Sequence, residues 1–214
     1  MSFTATVPWP TLKRSLVAIL RGIGPDEIEP AVATLMEAGF EAIEIPLNSP
    51  DAFRSIALAV RLGSDRHFIG AGTVLDVESV DRLADAGGRL LVSPNVDAQV
   101  LRRAGEHGMV TMPGVFTPTE AFAALAAGAS ALKFFPATVL GPAGVSAIKA
   151  VLPKDREIGV VGGVSERDFE AFSKVGVRTF GLGSSLYKPG MTARDIRERA
   201  DAAVLLYDRI FGLG

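Results

Sequence analysis

Cysteine is missing from all 214 residues, which excludes disulfides, thiolate metal sites, iron–sulfur clusters and cysteine nucleophiles. Histidine is nearly missing: His67 and His107 are the only two, too far apart in sequence for a paired metal motif. Neither sign of charge is in excess. Lys plus Arg is 22 and Asp plus Glu is 24, a net charge of −2, so neither a basic nucleic-acid surface nor a polybasic membrane patch is expected. No apolar run approaches the roughly 18 residues of a membrane span. The first residues lack a charged region followed by an apolar one, the mark of a signal peptide. The expectation is a soluble cytoplasmic protein with no nucleic-acid or membrane partner. No P-loop or nucleophile elbow is present. What the chain does have is apolar substance: 48% hydrophobic against 21% charged residues, enough for a large core and too much for disorder. Its length suits one domain, residues 1–214.

Short apolar runs alternate with longer amphipathic stretches. Eight runs read as strands: Leu16–Arg21, Ala42–Pro46, Phe68–Thr73, Arg89–Ser93, Met109–Pro113, Ala131–Phe135, Glu157–Gly162 and Thr179–Gly183. They recur every twenty-odd residues, the length of a βα unit. The segments between read as helices. Glu29–Ala38 ends at Gly39, and Pro30 marks either its start or a kink. Val77–Ala86 follows Asp76, and Ala98–Glu106 follows Asp97. Pro118–Ala127 carries a capping box from Thr117 to Glu120. Glu166–Lys174 follows Ser165, and Ala193–Phe211 opens after Thr192 with an apolar face at helical spacing. Eight strands with crossover helices predict an α/β fold, a (β/α)8 TIM barrel, with a short N-terminal helical extension. The competing architecture is an open doubly wound sheet. Against it, Arg21-Gly22-Ile23-Gly24-Pro25 does not continue into the dinucleotide-binding fingerprint. Trp9, between two prolines, is placed to close the barrel bottom.

Barrel strands point alternate side chains inward and outward, and both directions are normally apolar in a parallel sheet. Two ionisable residues break that rule. In Ala131-Leu132-Lys133-Phe134-Phe135, Leu132 and Phe134 face the helices, which turns Lys133 inward with Ala131 and Phe135. Desolvation there lowers the amine pKa and makes it a nucleophile, whereas a lysine at a strand end could instead snorkel to water. In Ala42-Ile43-Glu44-Ile45-Pro46 the same alternation turns Glu44 inward. A buried carboxyl near a lysine is either a plain ion pair or a proton-transfer group. Arg21 and Thr73 end the first and third strands, at the C-terminal rim where barrel enzymes keep their active sites. Arg21 either forks onto a carboxylate or pairs with a surface acid. Glycine turns follow the last two strands, Val161-Gly162-Gly163-Val164 and Gly181-Leu182-Gly183-Ser184-Ser185. That is the usual phosphate position of this fold. Ser93-Pro94-Asn95 reads as a turn that lines the site. His67 and His107 precede strands, so they belong at the opposite end, in structural or surface roles.

Together these residues resemble the class I aldolases that cleave 2-keto-3-deoxy-6-phospho sugar acids. The matching segments are Ile43-Glu44-Ile45-Pro46-Leu47-Asn48-Ser49-Pro50, Gly70-Ala71-Gly72-Thr73-Val74, Ser93-Pro94 and Met112-Pro113-Gly114. Leu132-Lys133-Phe134-Phe135-Pro136 and the two glycine turns complete the set. The resemblance implies a homotrimer without metal or organic cofactor. It also implies Lys133 as the Schiff-base lysine, Glu44 as the proton carrier and Arg21 with Thr73 on the substrate carboxylate. Gly162, Gly163, Gly183 and Ser184 would take the phosphate, with Asn48, Pro94, Phe135 and Val161 lining the substrate. The gluconate-type members usually carry Thr-Leu-Arg-Thr after the glutamate and a threonine before the paired glycines. Here Pro46-Leu47-Asn48-Ser49 and Val161 stand in those places, which is similar to the galactonate branch. The partners implied are a phosphorylated keto-deoxy sugar acid and pyruvate. Three other readings stay open at this point: the gluconate epimer as substrate, a phosphosugar isomerase, and a non-catalytic barrel that binds a phosphorylated metabolite.

Overall fold

The computed structural model describes residues 6–213. Eight parallel strands close into a barrel in sequence order. They are β1 (Leu16–Ile19), β2 (Ala42–Pro46), β3 (Phe68–Gly72), β4 (Leu90–Ser93), β5 (Val110–Val115), β6 (Ala131–Phe134), β7 (Glu157–Val161) and β8 (Thr179–Leu182). The helices are α1 (Ile28–Ala38), α2 (Ala52–Leu62), α3 (Val77–Asp85), α4 (Ala98–Glu106), α5 (Pro118–Ala126), α6 (Ala137–Lys149), α7 (Phe169–Ser173) and α8 (Ala193–Phe211). The closed order decides against the open sheet. Among the described residues no helix is long and apolar enough to cross a membrane.

Helix starts follow the side-chain caps that the sequence carries. Asp76 accepts from the Ser79 N–H at 2.7 Å, and Asp97 accepts from Gln99 and Val100. Thr117 and Thr192 close capping boxes with Glu120 and Asp195. Each such cap contributes about 1 kcal/mol. Pro30 lies in the first turn of α1, where its missing N–H has no helical partner to lose. α1, α2, α6 and α7 have no side-chain cap bond, and two of them are irregular. α2 begins after Asp51, whose side chain makes no cap bond and whose φ is +42°. α6 is broken at Gly141 (φ +66°) and Pro142, so its apolar period is interrupted.

The expected N-terminal helix is not found. Residues 6–15 run as irregular coil, and residues 1–5 lie outside the described residues. Pro8 and Pro10 each remove a backbone donor in this segment, which disfavours a helix. Trp9, with Val7 and Leu12, packs against the apolar cluster inside the barrel, closing its bottom as expected. Arg14 then holds the chain to α8 through two bonds to Asp208, both 2.6 Å.

Two cores result from the alternation of strand side chains. Inside the barrel, Val17, Ala42, Leu90, Val92, Met112 and Ala131 form one cluster. Between sheet and helices, Ile43, Ile45, Leu132, Phe134 and Phe180 join the inward faces of the helices. The second core carries most of the buried apolar area, and it fixes the register that aims the inward residues.

Candidate active site

β2 buries Ile43 and Ile45 on the helix side and Ala42 inside, so Glu44 points into the barrel. β6 does the same with Leu132 and Phe134 outside and Ala131 inside, which aims Lys133 inward. Lys133 is 6% exposed and Glu44 3%. Register sets their neighbours. Lys133 stands opposite Gly114 on β5 and Gly159 on β7, and Glu44 stands opposite Gly70 on β3. Each of these positions needs glycine because a neighbour already fills the space: the Pro94 carbonyl at Gly114, the Met112 methyl at Gly159 and the Leu90 backbone at Gly70.

Burial dominates the electrostatics. It pushes the Glu44 carboxyl up from 4.5 to about 7, against the pull of Lys133 and Arg21, whose positive charges favour the carboxylate. It draws the Lys133 amine down from 10.5 to about 8; Glu44 opposes the fall and Arg21 adds to it. The Lys133 ammonium also sits 4.9 Å from the centroid of the Phe135 ring. Glu44 Oε2 is buried with no hydrogen-bond partner. Such an oxygen is costly to keep, and it lies against Gly72 on β3. A lysine part-neutral near pH 7 can attack a carbonyl, and a carboxyl of similar proton affinity can give and take protons.

The third contributor is Gly72, which sequence reasoning did not single out. Pairing Pro46 with Gly72 brings β3 against the Glu44 carboxylate, and a methyl group at Gly72 would overlap Oε2. Gly72→Ala therefore moves the carboxylate. We expect turnover to fall by at least about 10-fold with a stability loss of about 1–3 kcal/mol, the usual size of overpacking. Turnover and urea denaturation check this, and unchanged turnover would remove Gly72 from the site. Thr73 follows at φ +57°. A β-branched residue in this left-handed region costs about 1–3 kcal/mol, and such strain clusters at functional sites.

Regular β1 and β3 end at Ile19 and Gly72, so Arg21 and Thr73 sit in the loops just past the strands rather than at their ends. Arg21 Nη1 donates to Asn48 Oδ1 at 2.6 Å. A cavity of about 520 Å³ opens above β1 and β6–β8. Arg21, Phe135, Val161, Gly162, Gly163, Gly183 and Ser184 line it. Thr73, Pro94 and Asn48 stand outside that lining, after β3, β4 and β2 on the other half of the mouth. The Pro94 carbonyl packs against Gly114 and leaves no space for a side chain there. Gly162 and Gly163 adopt φ +97° and +78°, a conformation that suits glycine. The N–H groups of Gly163, Gly183 and Ser184 make no hydrogen bond to protein among the described residues. Tyr187 and Pro189 also line the cavity; they follow the last glycine turn in an aperiodic segment that carries no sequence signal. His67 and His107 lie away from this mouth, bonded to Ser64 and Asp81.

Fold and site together define a class: a closed (β/α)8 barrel enzyme with a buried amine and a buried carboxyl inside the barrel and a glycine-lined cavity at its mouth. Residues 11–200 match the family model described as KDPG and KHG aldolase, and the chain belongs to that aldolase family. It is 62% identical over 206 residues to the probable 2-dehydro-3-deoxy-6-phosphogalactonate aldolase of Rhizobium meliloti (strain 1021), covering 96% of this chain and 97% of that protein. It is 47% identical over 199 residues to the 2-dehydro-3-deoxy-6-phosphogalactonate aldolase of Escherichia coli (strain K12), covering 93% and 97%. The solved structure described as native KDPGal superposes with a TM-score of 0.93 at 46% identity, covering 96% of this chain and 99% of that one.

Proposed function

We propose that the chain is a class I aldolase that cleaves 2-dehydro-3-deoxy-6-phospho-D-galactonate to pyruvate and D-glyceraldehyde 3-phosphate. The observation that carries the chemistry is Lys133, buried inside a barrel mouth with its amine pKa drawn down to about 8. The two galactonate-named relatives support the substrate.

In this reading the Lys133 amine adds to the C2 carbonyl, and loss of water gives a protonated imine. The imine accepts the electron pair of the C3–C4 bond as it breaks. Glu44, directly or through a water, takes the C4 hydroxyl proton, and the aldehyde leaves. The enamine is then protonated at C3, by Glu44 again, and water hydrolyses the imine to free pyruvate and Lys133. Arg21 and Thr73 hold the carboxylate. Gly162, Gly163, Gly183 and Ser184 hold the phosphate with their backbone N–H groups and the serine hydroxyl. Anchoring both ends of the chain orients the carbon between them. Asn48, Pro94, Phe135 and Val161 shape the walls. No step calls on a metal or an organic cofactor. We further infer one domain working as a cytoplasmic homotrimer. The exposed Phe116, Phe122 and Val139, on the segments after β5 and β6, offer apolar surface for a subunit contact.

The galactonate and gluconate substrates differ at the C4 hydroxyl. With Val161 apolar and 8% exposed at the cavity wall, one hydroxyl orientation loses a partner. An unpaired buried hydroxyl costs about 1–3 kcal/mol, so kcat/KM should favour the galactonate epimer by about 10- to 100-fold. Parallel assays with the two epimers check this. A preference for the gluconate epimer would overturn the assignment while leaving the imine chemistry intact.

A further inference from the structure

The loop after β1 carries one of the site's cations: Leu20 and Ile23 anchor it in the core, and Arg21 between them is left exposed. The loop turns at Gly22 with φ +86°. At Arg21-Gly22 the loop is also held from its two neighbours in the barrel. On one side, the loop after β2 reaches over: Asn48 Oδ1 accepts from Arg21 Nη1 at 2.6 Å, and the buried Ser49 Oγ accepts from the Gly22 N–H at 2.8 Å. On the other side, the loop after β8 presses the Pro189 ring onto Gly22, where a methyl group would collide with it. Arg21 thus has one short side-chain bond and a backbone fastened on both flanks.

We propose that Asn48 and Ser49 are positioning residues for Arg21, acting on the substrate's carboxylate only through that guanidinium. The inference deepens the role given to Arg21 above and rests on it. A bond to a charged group fixes the direction of the fork as well as the distance, and a two-pronged grip on a carboxylate needs both. Without Asn48, the exposed arginine gains rotamers that face solvent, and each carboxylate bound must then order it again. The same cation lies close enough to Glu44 and Lys133 to lower the pKa of each. Releasing it therefore also moves the protonation of the pair upward.

The test is a double-mutant cycle read with pyruvate, whose carboxylate is the group in question and which needs no phosphate site. Arg21→Gln, Asn48→Ala and the double variant are compared for the KM of pyruvate methyl-proton exchange and for the pH dependence of that exchange. Asn48→Ala should raise KM by about 10-fold and shift the low-pH limb to higher pH. In the Arg21→Gln background the same substitution should do neither, because the group it positions is gone. Ser49→Ala should raise KM in the same direction, and Ser49→Thr, which keeps the hydroxyl, should restore it. Equal effects of Asn48→Ala with and without Arg21 would overturn the inference and leave Arg21 as the carboxylate residue. An unchanged KM in Arg21→Gln itself would remove that role and the inference together.

Discussion

Lys133→Ala will leave no measurable turnover, a loss of at least about 10⁴-fold, larger than the range of a lost acid–base group. The reason is that the amine forms a covalent bond in this account, so no neighbouring side chain or water can stand in for it. The fold should survive the change. An amine that is 6% exposed at the mouth of the barrel is held there against its own hydration, and Ala131, Leu132 and Phe134 keep β6 in register. Circular dichroism and a urea titration separate loss of chemistry from loss of structure. Near-normal turnover in a folded Lys133→Ala protein would end the imine mechanism.

Glu44→Gln has the second largest expected effect. Glutamine keeps the shape beside Gly72 but cannot carry a proton. We expect both cleavage and pyruvate methyl-proton exchange to slow by about 10²–10⁴-fold. Exchange that stayed at the wild-type rate would show that another group protonates the enamine. The pH dependence follows from the two shifts. Glu44 must be ionised to accept a proton and Lys133 must be neutral to attack, and burial brings both events close to neutrality, at about 7 and about 8. The kcat/KM of the wild type therefore rises through this range with the loss of protons from the coupled pair. In Glu44→Gln the limb becomes shallower, since one ionisation is gone. It also moves to lower pH, since the Glu44 charge had been holding the Lys133 pKa up. Stability carries a matching signature. The contribution of protonated Glu44 is complete below its ordinary 4.5 and is lost as pH rises through about 7. Glu44→Gln should abolish that decline.

The strands were legible because each is a short apolar run set among longer amphipathic stretches, along which side chains alternate inward and outward, and because their spacing excludes hairpins. That same alternation was enough to aim Glu44 and Lys133. The limits of the reading are local and physical. α2 starts after a residue with φ +42° and no side-chain cap, and α6 is interrupted by Gly141-Pro142, so neither carries the usual start or period. Apolar character runs past the true ends of β1 and β3, which made Arg21 and Thr73 look like strand residues. The coil before β1 was expected to hold a helix, yet its prolines favour extended backbone. The contact between Gly72 and Glu44 depends on the β2–β3 register, and the bond from Arg21 to Asn48 crosses 27 residues between adjacent loops. Nothing in a one-dimensional pattern reports such pairs. The glycine turns were legible as turns, but only the barrel closure puts the loops of β7 and β8 beside the loop of β1, around one cavity.

The central claim is that Lys133 forms an imine with the keto acid. Borohydride reduction in the presence of pyruvate, followed by intact mass and peptide mapping, tests it most directly. We expect one reduced pyruvyl adduct per chain, located on Lys133, absent from Lys133→Ala and absent without pyruvate. No adduct on folded protein with pyruvate in excess, or an adduct on a different lysine, would contradict it.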